Sequence, residues 1–322
     1  MDLFNWAFVA AVLLATAPVL YAALGGALCA QAGVFNIALE GQMLWGAFAA
    51  VAGSYYTGSA WLGVLIAVLS TALFAVVLAV GSARWKADPI VIAIGTNLFA
   101  LGVTGFLIRV LFDVNGSFAP QGLAGLGTLT FLADVPILGE VFGRNSALVP
   151  LALLTAVAVA WWLGRTPAGL RLRGVGEHPE AVAALGLSVE RYRIAAIIAA
   201  GALCGLAGAQ LSLGNVSLFT ENMTAGRGWI AVAAVMIAVN RPLRVAVACL
   251  GFGAAEAFGF RLQGIGAPQQ LADAAPYVIT LIVLVMARGR TAMFPARVAA
   301  EKTPADKDPA EKASAEKVDT QR

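Results

Sequence analysis

An all-α bundle of transmembrane helices is the fold class this sequence predicts, and three observations predict it. Hydrophobic residues make up 60% of the 322-residue chain and charged residues only 12%, whereas soluble domains carry about 25% charged and 45–50% apolar residues. A soluble fold of this composition would leave much of its apolar surface in water, so composition selects a polytopic membrane protein. Several apolar runs also reach the roughly 20 residues that a helix needs to cross the hydrocarbon core. Those runs are continuous instead of alternating, which excludes a transmembrane barrel.

About nine spans (eight to ten) are expected, over residues 6–29, 34–55, 61–83, 90–112, 147–164, 194–213, 228–239, 245–260 and 275–288. The first has no basic residue ahead of it, Asp2 being the only early charge, and runs too long for the apolar core of a signal peptide. It is expected to remain as a span. The fourth holds fourteen Leu, Ile, Val or Phe residues between Ile90 and Phe112. At roughly −0.3 to −0.6 kcal/mol each, these outweigh Asn97 near its middle, and Arg109 can snorkel from its far end. The seventh and ninth are short, so each is tilted, extended by flanking residues or re-entrant. Trp6, Trp61, Trp161 and Trp162 fall near span ends, as an interfacial aromatic belt requires.

Basic residues set the expected orientation. Residues 1–288 contain fourteen Lys and Arg, and ten of them gather on one side when 84–88, 165–193, 240–244 and Arg288 are placed in the cytoplasm. The opposite loops then hold Asp113, Asp134, Glu140, Glu221 and Asp273. By the positive-inside rule, nine spans put the N-terminus outside and the C-terminus in the cytoplasm. Residues 1–288 thus form the transmembrane domain. The tail 289–322 has seven basic and six acidic side chains with almost no large apolar residue, so a disordered cytoplasmic tail is expected. Cys29, Cys204 and Cys249 lie in apolar stretches without metal-ligand spacing and read as small buried hydrophobes.

Several function classes drop out. The single histidine, His178, lies in the polar segment 165–193, so neither a His-based dyad nor an HExxH zinc site forms in the bundle. No aspartate falls mid-span and there is no GxxxxGK[ST] phosphate loop. Neither a cofactor nor a metal is expected. Transport remains. An ion-coupled secondary transporter needs ionisable groups at mid-membrane, and the intramembrane candidates are Glu40 and Glu256 with the amides Asn36, Asn97 and Gln210. A permease driven by a separate ATPase needs a cytoplasmic docking element instead. Residues 165–193, with five arginines and three glutamates between two apolar spans, fit that role as one or two short surface helices.

The stretch GLRLRGVGEHPEAVAALGLSVERYR within that segment resembles the coupling segment of ABC importer permeases in the branched-chain amino acid/ribose permease superfamily, and more narrowly those of nucleoside and simple-sugar importers. GVFNIALEGQMLWGAFAA (33–50), NMTAGRGWIAVAAVMIAVNRPL (222–243) and the closing AAEAFGFRLQGIGAPQQLADAAPYVITLIVLV are similar to the same group, in the expected order. The resemblance covers most of residues 1–288 and stops at the tail. It implies a non-catalytic permease subunit of the cell membrane that pairs with a second, paralogous permease. Two ATPase subunits bind beneath and an extracytoplasmic lipoprotein delivers substrate; nucleic acid has no part. Nucleosides fit the resemblance best, with ribose-like sugars or another small polar metabolite as the alternative within the family and an ion-coupled transporter as the alternative outside it.

Within that resemblance, Gly174, Gly176 and Pro179 are expected to shape the coupling turn and start the next short helix, and Gly186 to end it. Arg171, Arg173 and Glu177 are candidates for salt bridges to the ATPase, or Arg171 and Arg173 anchor the span to anionic membrane lipid. Asn36, Glu40, Asn97 and Glu256 are candidates for the translocation pathway. Each has a structural counterpart: Asn36 in a segment marking the interface of the first two spans, Glu40 as a helix cap or paired with a basic group, Glu256 paired with Arg261, Asn97 bonded to a neighbouring helix. Phe35, Trp45, Phe48 and Phe99 are candidates for stacking on a base. Gly201, Gly205 and Gly208 are expected to let helices approach closely.

Overall fold

The computed structural model describes residues 6–85, 87–128, 138–143, 145–238, 241–264 and 278. They are mostly helical: α1 (Trp6–Gln31), α2 (Leu39–Thr57), α3 (Ala60–Ala83), α4 (Pro89–Phe112), α5 (Leu138–Phe142), α6 (Leu148–Arg165), α7 (Pro167–Glu177), α8 (Pro179–Ala184), α9 (Val189–Ala209), α10 (Arg227–Ile237) and α11 (Pro242–Gly264). A π-helical turn, Gln210–Val216, prolongs α9. Two short strands, β1 (Ser117–Phe118) and β2 (Phe219–Thr220), pair antiparallel.

Among the described residues six helical stretches are long and apolar enough to cross a membrane: α1, α3, α4, α6, α9 with its π turn, and α11. The chain is a polytopic helical bundle. Two expected spans take a different form. Residues 34–38 do not join the second span; Gly33 at φ +75° and an Asx-type turn at Asn36 delay the helix until Leu39. The seventh is an 11-residue helix, α10, too short to cross alone. The ninth expected span lies outside the described residues except for Val278, as does the tail 289–322.

The helix starts are written locally. Asp88 accepts the Ile90 N–H with Pro89 at the first position of α4, and Thr166 accepts the Gly169 N–H with Pro167 opening α7. Pro179 likewise opens α8, and Ser188 caps α9.

α1 runs through the centre of the bundle, with Leu20, Tyr21, Ala22, Ala23 and Leu24 fully buried. α9 packs across both α2 and α3, and its glycines are the reason. A methyl group at Gly205 would fall 2.7 Å from the Ala67 carbonyl oxygen of α3, and one at Gly208 would overlap the Ala47 N and Met43 O of α2. The small-residue pattern is therefore a packing device, as expected. α4 and α6 lie at the periphery and expose Leu98, Phe106 and Val110, and Leu154, Val157 and Trp161, as lipid-facing helices do. At the β1–β2 end, Phe112 stacks on Phe118 at 3.9 Å between centroids, and Tyr55 meets Phe118 edge-on. Phe48 is drawn into the same cluster through Phe219.

Candidate functional site

The connector 32–38 between α1 and α2 is held at both ends. At its start, α7 lies so close that a methyl at Gly176 would overlap the Gln31 carbonyl oxygen and approach Gly33 N to 2.9 Å. Arg193 of α9 donates Nε–H to the Ala32 carbonyl at 3.4 Å. At its end, buried Asn36 accepts the Ala38 N–H through Oδ1 at 2.8 Å and directs Nδ2 at Cys29 Sγ. Asn97, reaching from α4, donates to the Ile37 carbonyl at 3.1 Å and accepts the Gly41 N–H at 2.8 Å. Both amides therefore serve the backbone that introduces α2; Asn97 takes the inter-helix role.

The first turn of α2 carries Glu40 to the start of α10. Glu40 Oε1 accepts the Gly226 N–H at 2.9 Å and Oε2 the Gly228 N–H at 2.6 Å. One carboxylate thus satisfies two of the N–H groups that a helix start leaves without an internal partner. Its charge opposes the positive end of the helix dipole, worth about 0.3–2 kcal/mol depending on burial. The fit demands glycine at 228, because a Cβ there would sit 2.5 Å from Glu40 N. Arg227, the first residue of α10, pairs through Nη2 with Glu256 of α11. Glu256 was expected to pair with Arg261; instead Arg261 lies over the Phe8 ring at 4.8 Å. The physical reason is helical spacing. Positions five apart point to different sides of a helix, whereas α10 presents Arg227 directly to α11.

Sequence reasoning singled out Glu40, Asn97 and Glu256 but missed Arg227, the ion-pair partner of Glu256 at the helix start that Glu40 caps. The signal was available: an arginine between two glycines at the head of an apolar run is an intramembrane charge, and such charges are paired and functional. α10 itself, Arg227–Ile237, is about 16 Å long at 1.5 Å per residue, and the Arg227 and Glu256 side chains at its start are only 22% and 13% exposed. The polar centre Glu40–Arg227–Glu256 therefore lies deep within the bundle.

α7 and α8 form the other half of the site. Gly174 and Gly176 were expected in a turn; both lie inside α7, where Gly174 meets Val182 of α8 and Gly176 meets the connector. The turn falls at His178, an exposed residue. Pro179 starts α8 and Gly186, at φ +76°, ends it, as expected. Arg171 and Glu177 are exposed and Arg173 is half-buried. Trp45 stacks on Phe74 at 5.0 Å, and Phe99 stacks on Phe74 at 6.1 Å between centroids. Phe35, within the connector, is exposed. Among the described residues no cluster of His, Cys, Asp and Glu could hold a metal ion.

α7 thus touches the α1–α2 connector, and the connector ends two residues before the carboxylate that caps α10.

Comparison with known proteins agrees. Residues 8–286 match the family described as branched-chain amino acid transport system / permease component. The chain is 32% identical to the nucleoside ABC transporter permease protein NupC of Lactococcus lactis, over 88% of this chain and 92% of that protein. It is 31% identical to the guanosine ABC transporter permease protein NupQ of Bacillus subtilis, again over 88% and 92%. To the putative glucose ABC transporter permease protein TsgC13 of Haloferax volcanii it is 33% identical, over 84% and 88%. No solved structure matches the chain. The composition, the helical bundle and the match over nearly all of residues 1–288 lead to one assignment: the chain is an integral membrane protein of the branched-chain amino acid transport system permease family, a non-catalytic transport subunit that works with an ATPase and a second permease.

Proposed function

We propose that this permease carries nucleosides in an ATP-driven ABC importer. The observation that carries the reading is the likeness to NupC and NupQ, whose names specify a nucleoside and guanosine. The likeness to TsgC13 favours glucose as the second reading. An extracytoplasmic lipoprotein delivers the substrate, and the second permease is a paralogue. The α7–α8 hairpin faces the cytoplasm, as the positive-inside pattern implies, and the chain crosses about nine times with its N-terminus outside. Arg171, Glu177 and the α7–α8 turn at Pro179 meet the ATPase, with Gly174 and Gly186 setting the hairpin's shape.

Coupling then runs through contacts described above. Closure of the ATPases on ATP moves α7, and Gly176 transmits the movement to Gly33 and the connector. The connector tilts the start of α2, on which Glu40 holds α10. Each state of the bundle must differ in its affinity for the ATPase's nucleotide state, or no work is transferred. Asn36 and Asn97 keep the connector stiff enough to transmit, and Glu256 extends the linkage to α11. The pathway is bordered by this polar centre.

The test is uptake into proteoliposomes containing the permease pair, the ATPase and the lipoprotein. ATP-dependent accumulation of labelled guanosine, competed by other nucleosides and not by glucose, is the expected result. Accumulation of glucose alone would select the sugar reading, and accumulation driven by an ion gradient without ATP would overturn both. A Glu177→Arg variant, altered at an exposed position of the hairpin, is expected to insert normally and to lose uptake.

A further inference from the structure

A cavity of about 640 Å³ opens where α1, α6, α7 and α11 meet, with Gln31 in its lining beside the Gly176 contact described above. Its lining combines Arg173 of α7, Arg241 just ahead of α11 and Arg244 within α11 with an apolar wall of Leu163 and Gly164 from α6 and Leu243 from α11. Glu177 also borders it. Three guanidiniums against one carboxylate leave a local charge of +2. Among the described residues none of the three arginines takes part in an ion pair; the pairs found there are Arg109–Glu221 and Arg227–Glu256.

We propose that this cavity binds the headgroup of an anionic phospholipid. Charge selects the phosphate, since uncompensated guanidiniums offer several N–H donors to its oxygens. The apolar wall selects the lipid over a free anion. On α6 it continues into Val157 and Trp161, 59% and 61% exposed, and on α11 into Val247, 69% exposed. Acyl chains lying along those surfaces would enter at Gly164, on the same face of α6 as Val157 and Trp161, and at Leu243. Trp161 and Trp162 mark this depth as the membrane interface, where their amphipathic rings settle. A basic pocket between spanning helices at that level suits a phospholipid headgroup. A bound lipid would bridge α7 to α11, so that the strength of coupling depends on the membrane's anionic lipid content. Arg173, turned into this cavity, is then a lipid ligand and leaves the exposed Arg171 to the ATPase.

The experiment uses the purified complex of permeases and ATPase in phosphatidylcholine nanodiscs, titrated with phosphatidylglycerol and read by native mass spectrometry. Saturable retention of phosphatidylglycerol is expected. An Arg241→Gln/Arg244→Gln variant is expected to bind it about thirtyfold more weakly, at about 1 kcal/mol for each charge near the interface. Equal retention by the variant, or equal retention of phosphatidylcholine and phosphatidylethanolamine, would overturn the proposal. So would displacement of the lipid by inorganic phosphate, which identifies a free-anion site. Loss of the ATPase from the variant with lipid retention intact would assign the arginines to a protein partner instead. A second measurement needs no variant. Phosphatidylglycerol carrying a photoreactive group near its headgroup is expected to label the wild-type peptides containing 160–164 and 241–244, and labelling elsewhere only would refute the site. Nucleoside uptake does not enter either readout, so failure here leaves the transport reading to its own test.

Discussion

The two charged regions at opposite ends of α10 are built in contrary ways. At its start, every charge is answered from within the chain. Glu40 takes two backbone N–H groups, and Arg227 takes Glu256, their side chains only 22% and 13% exposed. Past its end, Arg173, Arg241 and Arg244 surround an open cavity and take part in no ion pair among the described residues. The difference follows from surroundings. Deep in a bundle an unpaired charge costs several kcal/mol, so a centre there must close on itself to exist. At the interface water and headgroups solvate a guanidinium, and an uncompensated charge is tolerable. The closed region ties α2, α10 and α11 together, while the open one leaves its guanidiniums available to a group outside the chain.

The largest expected effect strikes the closed region. Gly228→Val places a branched side chain against the Glu40 backbone, which cannot swing aside as a flexible side chain would. The cost reaches or exceeds the ~3 kcal/mol upper range usual for overpacking. Loss of the monodisperse peak in size-exclusion of a fluorescent fusion is the expected outcome. A wild-type profile and melting temperature would mean that α2 and α10 do not meet as described.

Next comes the ion pair. Arg227→Met strands Glu256 in a partly buried site, at about 3–5 kcal/mol. The Arg227→Met/Glu256→Met double variant removes both charges and is expected to recover most of that stability, because a buried pair replaced by apolar residues is often near neutral. Thermal melting of the purified permease in detergent compares the four proteins of the cycle. If the second substitution adds a further loss, the pair is not the unit described here.

Much of the bundle was legible because crossing a bilayer is a demand on composition and length. α1, α3, α4, α6, α9 and α11 each announce themselves as apolar runs, and the caps at Asp88 and Pro179 are local signals. The centre was legible only by residue type. Glu40 and Asn97 stood out as polar groups in apolar runs, yet their partners lie 186 and 56 residues away at Gly226 and Gly41. No local periodicity reports a pairing of that separation. The two coupling glycines misled for a related reason. Low helix propensity suggests a turn, but α7 keeps Gly174 and Gly176 in helix because the tertiary contacts with Val182, Gln31 and Gly33 need the missing Cβ. The π-helical turn after α9 left no sequence signal. The cavity was half visible: 240–244 and 165–193 were both marked as basic, and only the fold shows that they share one wall.

The smallest expected effect separates the two regions most sharply. Arg241→Gln/Arg244→Gln removes two charges that have no ion-pair partner among the described residues, so stability is expected to change by less than about 0.5 kcal/mol. In lipid-free detergent its melting temperature should match the wild type. Added phosphatidylglycerol should then raise the wild-type melting temperature and leave that of the variant almost unmoved, because a ligand stabilises the state that binds it. A large loss in detergent alone would mean that these arginines are structural, like Arg227, and the contrast between the two ends of α10 would collapse. An equal rise in both proteins would place the lipid somewhere other than the cavity. Only a silent substitution whose effect appears with the anionic lipid fits a region left open for recognition.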